Sequence, residues 1–192
     1  MSDEIIIAGI GGSLRKESYN AFLLRESARL MPEGSELKII DISSLPMFNA
    51  DRIGSRSEVV DAFRESIRSC HGLLFATPEY NYSIPGFLKN AIDVASIPSS
   101  TSPFRNRAAG IISASQGHFG GMRAQYHLRQ VLVYLEVIPL ARPEFFVHDA
   151  RSKFGSDGMI VDEELRERLR KYLDTLVTFT RKVSGDILES GQ

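Results

Sequence analysis

Short apolar runs alternate with amphipathic segments along most of this chain of 192 residues. The first run, Ile5 to Ile10, is almost continuously apolar and is followed by glycines, which is typical of a strand buried on both faces of a sheet. Similar runs predict four more strands, and two prolines interrupt the last of them. The predicted strands are 5–10, 37–42, 72–77, 108–113 and a fifth within 137–147.

The segments between these strands carry apolar residues at every third or fourth position, which predicts helices. The predicted helices are 21–31, 58–70, 86–95, 122–136 and 162–183. Strands that alternate with helices indicate an α/β fold, with a parallel sheet, right-handed crossovers and helices on both faces. The chain shows no repeat, low-complexity tract or linker, so we predict a single domain over residues 1–192.

Three polar loops follow the first, third and fourth predicted strands, at residues 11–20, 78–85 and 113–121. Each loop precedes a helix, so all three lie at the carboxyl ends of their strands. In a flavodoxin-like sheet of order 2-1-3-4-5 these strands are neighbours, and a ligand binds at such a crevice. If the five strands take this order, the three loops line one binding site.

The first loop, GGSLRKESYN, has the chemistry of a phosphate site. A helix N-terminus offers unpaired N–H groups and a partial positive charge. Ser13, Ser18 and Asn20 add side-chain donors, and Arg15 adds a forked cation. The alternative is an ordinary strand–helix turn capped by Ser18 or Asn20. Two other phosphate motifs fail, because Leu14 replaces the third Rossmann glycine and the Walker Gly-Lys-Ser/Thr is absent.

The composition narrows the class of function. There are 23 basic and 24 acidic residues, a net charge of −1, which argues against a nucleic-acid binder. Cys70 is the only cysteine, so the sequence predicts neither an internal disulfide nor a Cys/His metal site. The N-terminal segment lacks the features of a signal peptide, and no apolar stretch has the length of a membrane span. We therefore expect a cytoplasmic protein.

The second loop reads PEYNYSIPG and continues into LKNAID. Together with GSLRKESYN, this segment resembles the NAD(P)H-dependent FMN reductases, a group that contains bacterial quinone, chromate and azo-dye reductases. The stretch GGMRAQYHLRQVLVYLE followed by PEF is similar to the chromate/quinone reductase branch. The resemblance runs from about residue 5 to residue 147. One departure is Val94, which stands where many members carry tryptophan.

This resemblance implies a flavodoxin-like fold, a tightly held FMN and a homodimer or homotetramer. Carried over by motif position, the residues that would hold the phosphate are Ser13, Arg15, Ser18, Tyr19 and Asn20. Those that would line the isoalloxazine ring are Pro78, Glu79, Tyr80 and Asn81, and those that would cover its other edge are Ser115, Gly117 and Gly120. The branch also implies a subunit-interface network of Arg123, Tyr126 and Glu144, for which a solvent-exposed salt bridge is the alternative. Tyr82 either joins this network or stacks near the flavin.

The expected activity is hydride transfer from NADPH or NADH through FMN to a quinone, chromate, an azo compound or a similar small acceptor. No general base is obligatory, because the flavin carries the chemistry. His118, in the glycine-rich third loop, is a candidate contact for nicotinamide or acceptor, and a solvated loop histidine is its alternative. Two other functions stay open at this point: a flavodoxin-type electron carrier that does not itself oxidise nicotinamide, which the near-neutral charge disfavours, and a protein of the same fold without FMN.

Overall fold

The computed structural model of the protein describes residues 4–55 and 57–190, with side chains as far as residue 185. The predicted single domain, 1–192, includes residues outside these ranges and stays a prediction. In chain order the strands and longer helices are β1 (Ile5–Gly11), α1 (Tyr19–Arg29), β2 (Ser35–Ile40), α2 (Glu58–Arg68), β3 (Gly72–Ala76), α3 (Gly86–Ser96), β4 (Ala108–Ala114), α4 (Met122–Tyr134), β5 (Ile138–Pro139), β6 (Phe145–Val147), α5 (Ala150–Lys153) and α6 (Glu163–Ser190).

The strands form one parallel sheet in the order β2-β1-β3-β4-β5, which confirms the predicted flavodoxin-like order. The predicted number of five strands is wrong, because a sixth strand, β6, also pairs in parallel with β4. The predicted fifth strand, within 137–147, is therefore two short pieces that share one edge of β4. Pro139 and Pro143 lack the N–H that a continuous strand would donate there.

A tyrosine from the last helix fills the gap between the two pieces. β5 pairs with Ala108 and Ala109, and β6 pairs with β4 only from Ile112 onward, which leaves Ile111 without a strand partner on that side. The buried hydroxyl of Tyr172 accepts a hydrogen bond from the Ile111 N–H at 2.8 Å and donates one to the Ile111 carbonyl at 3.1 Å. Because both backbone groups are satisfied, the interruption leaves no unpaired polar group on Ile111.

Two apolar layers cover the sheet. On one face, Ile7, Leu74 and Ile112 pack with residues of α1 and α6. On the other face, Ile10 and Phe75 pack with residues of α2, α3 and α4. Successive strand residues point to opposite faces, so a strand that is buried on both faces must be apolar throughout, as the sequence indicated. The loops at the carboxyl ends of the strands remain outside both layers.

Several local predictions need correction. β2 covers Ser35–Ile40 rather than 37–42, and α6 continues to Ser190 rather than ending at 183. α1 begins at Tyr19, two residues before the predicted start, because Ser18 takes the N-cap position. The apolar spacing of α2 also predicts a buried Val59 beside Phe63 and Ile67, but Val59 is 43% exposed and lines a surface cleft beside β2. Among the described helices, none combines the length and apolar character needed to cross a membrane.

Candidate functional site

The first and second loops touch directly at the carboxyl edge of the sheet. The Gly12 N–H donates to the Ala76 carbonyl at 2.7 Å, so the first loop leaves β1 against the end of β3. A Cβ on Gly12 would lie 3.0 Å from Cδ of Pro78 and 3.1 Å from Cα of Thr77. A side chain at position 12 would therefore push the two loops apart, which explains a glycine there.

Asn20 joins the first loop to the third. Its side-chain nitrogen donates to the Ala114 carbonyl at 2.8 Å, and its side-chain oxygen accepts from the Ala114 N–H at 2.9 Å. The residue is buried, at 3% exposure. Its amide is therefore engaged with the end of β4, and at most one of its N–H groups is left for a ligand.

Glu79 joins the second loop to the start of α4, which directly follows the third loop. One carboxylate oxygen accepts from the Arg123 guanidinium at 2.7 Å, and the other accepts from the Arg123 backbone N–H at 3.1 Å. Because that N–H lies in the first turn of α4, the carboxylate is also placed at the positive end of the helix. All three loops are thus linked to each other, and the predicted crevice is a single structural unit.

The N-terminus of α1 has the features of an anion site. The Ser18 hydroxyl makes no capping hydrogen bond, and the first turn of α1 holds no acidic side chain. Arg15 is exposed just before it, and the Ser13 hydroxyl accepts only the Arg15 backbone N–H, at 3.3 Å, among the described contacts. Uncapped helix N–H groups beside an exposed cation suit a phosphate. The residues present therefore fit the phosphate of FMN.

Tyr19, predicted with this phosphate group, has its ring turned into an aromatic cluster. The ring centroid lies 5.7 Å from that of Phe154 and 6.2 Å from that of Phe22. The side chain is half-buried against the core of the α1 and α6 face. Ring packing occupies the body of this side chain, and only its hydroxyl end is available for a polar contact with a ligand.

The second loop contains a tight turn at the predicted ring-lining residues. The N–H of each of Tyr80 and Ser83 donates to the carbonyl of the other at 2.9 Å, and both central residues, Asn81 and Tyr82, are left-handed. Pro78 is buried, whereas Tyr80 is 46% exposed. Tyr82 is also exposed, at 66%, so the turn presents backbone groups and two aromatic side chains at the edge of the sheet.

The third loop is supported from beneath by a residue that the sequence analysis missed. Gln125 is fully buried and its side-chain nitrogen donates to the Ser113 hydroxyl at 2.7 Å, and this hydroxyl donates to the Gly120 carbonyl. Above this support, the Ser115 hydroxyl donates to the Gly117 carbonyl at 3.1 Å, and an added Cβ on Gly117 would meet this hydroxyl oxygen at an ordinary contact distance of 3.8 Å. The sequence did contain a signal for Gln125, because it is a polar residue among the inward-facing apolar residues of the predicted helix 122–136.

A fourth loop reaches the same edge and was also missed. His148 and Asp149 follow β6, and a hydrogen bond from His148, helped by the charge of His118, lowers the pKa of the Asp149 carboxyl. The Ser115 N–H donates to the Val147 carbonyl at 2.9 Å and the Ala150 N–H donates to the Ser115 carbonyl at 3.0 Å, so the fourth loop lies against the third, in which His118 is exposed. Sequence reasoning could not place the fourth loop, because the end of the interrupted fifth strand was not assigned.

The predicted interface residues form two separate contacts within one chain. Arg123 binds Glu79, and its guanidinium carbon lies 4.0 Å from the ring centroid of Tyr82. Tyr126 faces the Glu144 carboxylate, and this interaction is the chief reason that the pKa of Tyr126 is raised. Within a single chain, the residues predicted to form one interface network therefore form two separate contacts.

Two clefts lie elsewhere. One, of about 520 Å³, runs between β2 and α2, and the other, of about 650 Å³, lies between the loop after β2 and the end of α3. Val94 is in the wall of the second cleft, and Asn90 fastens the loop opposite by bonds to the Phe48 N–H and the Pro46 carbonyl. Neither cleft is lined by the three cross-linked loops, so both are distinct from the edge described above.

The sheet order and the loop at its carboxyl edge define a protein of the flavodoxin-like class with an anion site suited to a phosphate. The family model for NADPH-dependent FMN reductase matches residues 5–152. An NAD(P)H-dependent FMN reductase of Pseudomonas aeruginosa is 46% identical over 186 residues, covering 96% of this chain and 100% of the relative. An NAD(P)H:quinone oxidoreductase of Solanum tuberosum is 45% identical, covering 94% and 95%.

Among solved structures, the flavoenzyme NAD(P)H:(acceptor) oxidoreductase FerB of Paracoccus denitrificans superposes with a TM-score of 0.86 at 30% identity. The match covers 93% of this chain and 98% of FerB. The chain belongs to the NADPH-dependent FMN reductase family. It is an NAD(P)H-dependent oxidoreductase with FMN as its cofactor, and this confirms the expected family, activity class and cofactor over the carrier alternative.

Proposed function

We propose that the three cross-linked loops hold FMN at the carboxyl edge of β1, β3 and β4. In this proposal the first loop and the start of α1 bind the phosphate through Ser13, Arg15, Ser18, Tyr19 and Asn20. Pro78, Glu79, Tyr80 and Asn81 line the isoalloxazine ring, and Ser115, Gly117 and Gly120 cover its other edge. The observation that carries the proposal is the direct linkage of the three loops through Gly12, Asn20 and Glu79.

The donor set divides into two roles. Arg15 and the uncapped N–H groups of α1 neutralise a phosphate, whereas Asn20 acts mainly by fixing the position of that helix against β4. Backbone N–H and carbonyl groups of the second and third loops are left to meet the polar edge of a flat ring. Bound FMN supplies the hydride chemistry, so the chain itself has to bind, orient and leave one ring face open.

We also propose a quinone as the electron acceptor. The support is the similarity over nearly the full length to the NAD(P)H:quinone oxidoreductase of Solanum tuberosum. An open, exposed edge suits a small planar acceptor, and Tyr80 and His118 are exposed side chains that could contact it. Chromate and azo compounds remain predictions from the sequence.

The binding part of this proposal is tested by cofactor retention. We expect the purified protein to show a flavin spectrum, and a Ser13→Ala/Arg15→Ala double variant to bind FMN at least tenfold more weakly in fluorescence titrations. A Ser99→Ala/Arg105→Ala variant is the matched control, because both residues are exposed and precede β4 at the opposite edge. Equal FMN affinity of the two double variants would remove the proposed phosphate site.

The reaction is tested by stopped-flow absorbance. We expect mixing with NADPH or NADH to bleach the bound flavin rapidly, and a benzoquinone to restore the colour. Alternate binding of nicotinamide and quinone at one open face predicts ping-pong kinetics. Bleaching by nicotinamide without recovery upon addition of quinone would contradict the proposed acceptor and leave the family activity intact.

We further propose that a second copy packs on the outer stripe of α4, to give a homodimer or homotetramer. Tyr126, Val133 and Tyr134 of α4 are 45%, 69% and 85% exposed, and Tyr82 in the turn beside the start of this helix is 66% exposed, an unusual set of large exposed side chains. A Val133→Glu variant should reduce the molecular mass measured by light scattering, and an unchanged mass would contradict this contact.

The expected cytoplasmic location stays a prediction, which cell fractionation would test.

A further inference from the structure

The turn that lines the proposed flavin site has an unfavourable backbone. Asn81 and Tyr82 have φ values of 49° and 66°, in the left-handed region. Asparagine tolerates this region, but a bulky side chain such as tyrosine rarely adopts it, because its Cβ crowds the following carbonyl. A conformation of this kind persists only where surrounding contacts hold it in place.

One side chain supplies contacts on both sides of the turn. The Arg123 guanidinium lies between two aromatic rings, 4.0 Å from the centroid of Tyr82 and 4.1 Å from that of Phe119. The same guanidinium donates to the Glu79 carboxylate at 2.7 Å. Arg123 therefore contacts Glu79 on one side of the turn and Tyr82 within it. Its contact with Phe119 connects the turn to the third loop.

The helix that carries Arg123 also fastens the end of the turn. His127, one helical turn further along α4, has its Nδ1 atom 3.0 Å from the Ser83 hydroxyl. Residues four apart share one face of a helix, so Arg123 and His127 form a pair of contacts along the turn. The start of α4 is itself fixed, because a Cβ on Gly121 would lie 2.7 Å from the Ser113 Cβ.

We infer that Arg123 is a positioning residue for FMN: it holds the Glu79–Ser83 backbone in the shape that receives the isoalloxazine ring. This inference rests on the proposed function, in which that turn lines the ring. Arg123 has a second effect, because its charge offsets the carboxylate of Glu79. Removal of Arg123 would leave an uncompensated negative charge near a cofactor that gains electrons, which opposes reduction.

The test compares Arg123→Gln with Arg123→Lys. Arg105→Gln is the matched control, because Arg105 also binds a carboxylate, Glu136, at 2.8 Å, but in an exposed pair outside the three loops. For each protein we would measure FMN affinity by titration of the apoprotein, the flavin midpoint potential, amide hydrogen exchange of residues 78–83 in the apoprotein, and molecular mass.

For Arg123→Gln we expect about tenfold weaker FMN binding, a more negative midpoint potential and faster exchange in residues 78–83. Arg123→Lys should keep a midpoint potential near that of the wild type, because the charge remains. It should still bind FMN more weakly, since an ammonium cannot lie flat between two rings or donate as a fork. Tyr82→Ala, which removes one ring and leaves the ion pair, should weaken FMN binding to a smaller extent.

The outcomes separate this inference from the proposed function. A wild-type apoprotein that does not bind FMN contradicts both. A wild type that binds FMN together with an Arg123→Gln variant that matches the Arg105→Gln control overturns only the role of Arg123. A loss of affinity that accompanies a lower molecular mass, and disappears at concentrations that restore the assembly, would assign Arg123 to the subunit contact and also overturn the inference.

Discussion

Asn20 shows at the scale of one residue how a predicted ligand contact can have a structural role as well. The sequence indicated a phosphate donor or a helix cap, and the structure shows its amide engaged with both backbone groups of Ala114. Residue type and spacing predicted a polar contact at the start of α1. They could not identify the partner, because Ala114 is 94 positions away and only the strand order brings it close.

Replacement of Asn20 by alanine should therefore destabilise the apoprotein. The Ala114 N–H and carbonyl would be left buried without partners, at about 1–3 kcal/mol for each unsatisfied group. Urea unfolding of the apoprotein measures the change in free energy. Ser13→Ala serves as the control, because the Ser13 hydroxyl is half-exposed and should alter FMN affinity alone. An Asn20→Ala apoprotein as stable as the wild type would show that the amide has no structural role.

Tyr172 carries a second prediction at this scale. Its hydroxyl replaces a strand at Ile111, so Tyr172→Phe should lower the free energy of unfolding by about 1–3 kcal/mol. Tyr134→Phe is the control, because that side chain is 85% exposed and its hydroxyl should contribute little. The measurement is urea unfolding at neutral pH, and equal stability of the two variants would contradict the assigned role.

The same tyrosine predicts a loss of stability in alkali. Burial raises the pKa of Tyr172 in the folded protein above its unfolded value of about 10. Below pH 10 the residue is neutral in both states, so its contribution is complete. Above pH 10 the unfolded state loses this proton first, and stability falls as the pH rises. Unfolding followed from pH 8 to 11 should show a shallower decline in Tyr172→Phe than in the wild type.

At the scale of elements, periodicity predicted the strands and helices that pack through apolar stripes. It failed at the fifth strand, where β5 has two residues and β6 has three. Strands of two or three residues are too short to show the two-residue alternation of apolar and polar positions. The gap between them is filled by the Tyr172 hydroxyl, which comes from a helix distant in sequence. The same failure hid the fourth loop with His148 and Asp149, because a loop can be placed at the carboxyl edge only when its strand is known.

The turn before α4 carries the prediction at this scale. Gly121 has a φ of 87° and its hydrogen faces Ser113, so Gly121→Ala combines backbone strain with a Cβ contact of 2.7 Å. We expect a loss of at least 1 kcal/mol in stability and weaker FMN binding, because the third loop and the start of α4 must shift. Thermal unfolding and FMN titration measure the two effects.

Gly86→Ala is the control for this prediction. Gly86 begins α3 and has no atom within 4 Å of an added Cβ, so alanine should leave stability unchanged or raise it by about 0.4–1 kcal/mol. If Gly121→Ala were as stable as Gly86→Ala, the left-handed turn would not be a requirement of the fold.

At the scale of the whole molecule, the linked loops should respond to FMN as one unit. Gly12 and Asn20 connect the first loop to the ends of β3 and β4. Glu79 binds Arg123 at the start of α4, whose guanidinium also contacts Phe119 of the third loop, so ordering one loop by a ligand restrains the others. Ligand at 100 times its dissociation constant adds about 2.7 kcal/mol to the stability of the folded state. We expect FMN to raise the thermal midpoint and to slow amide exchange together in residues 11–20, 78–85 and 113–121.

The opposite edge, including the Arg105–Glu136 pair, provides the internal reference, because its local exchange should change little. Slowed exchange in only one of the three loops would mean that the links between them do not transmit the ordering, and the site would then be a phosphate-binding loop with two independent neighbours.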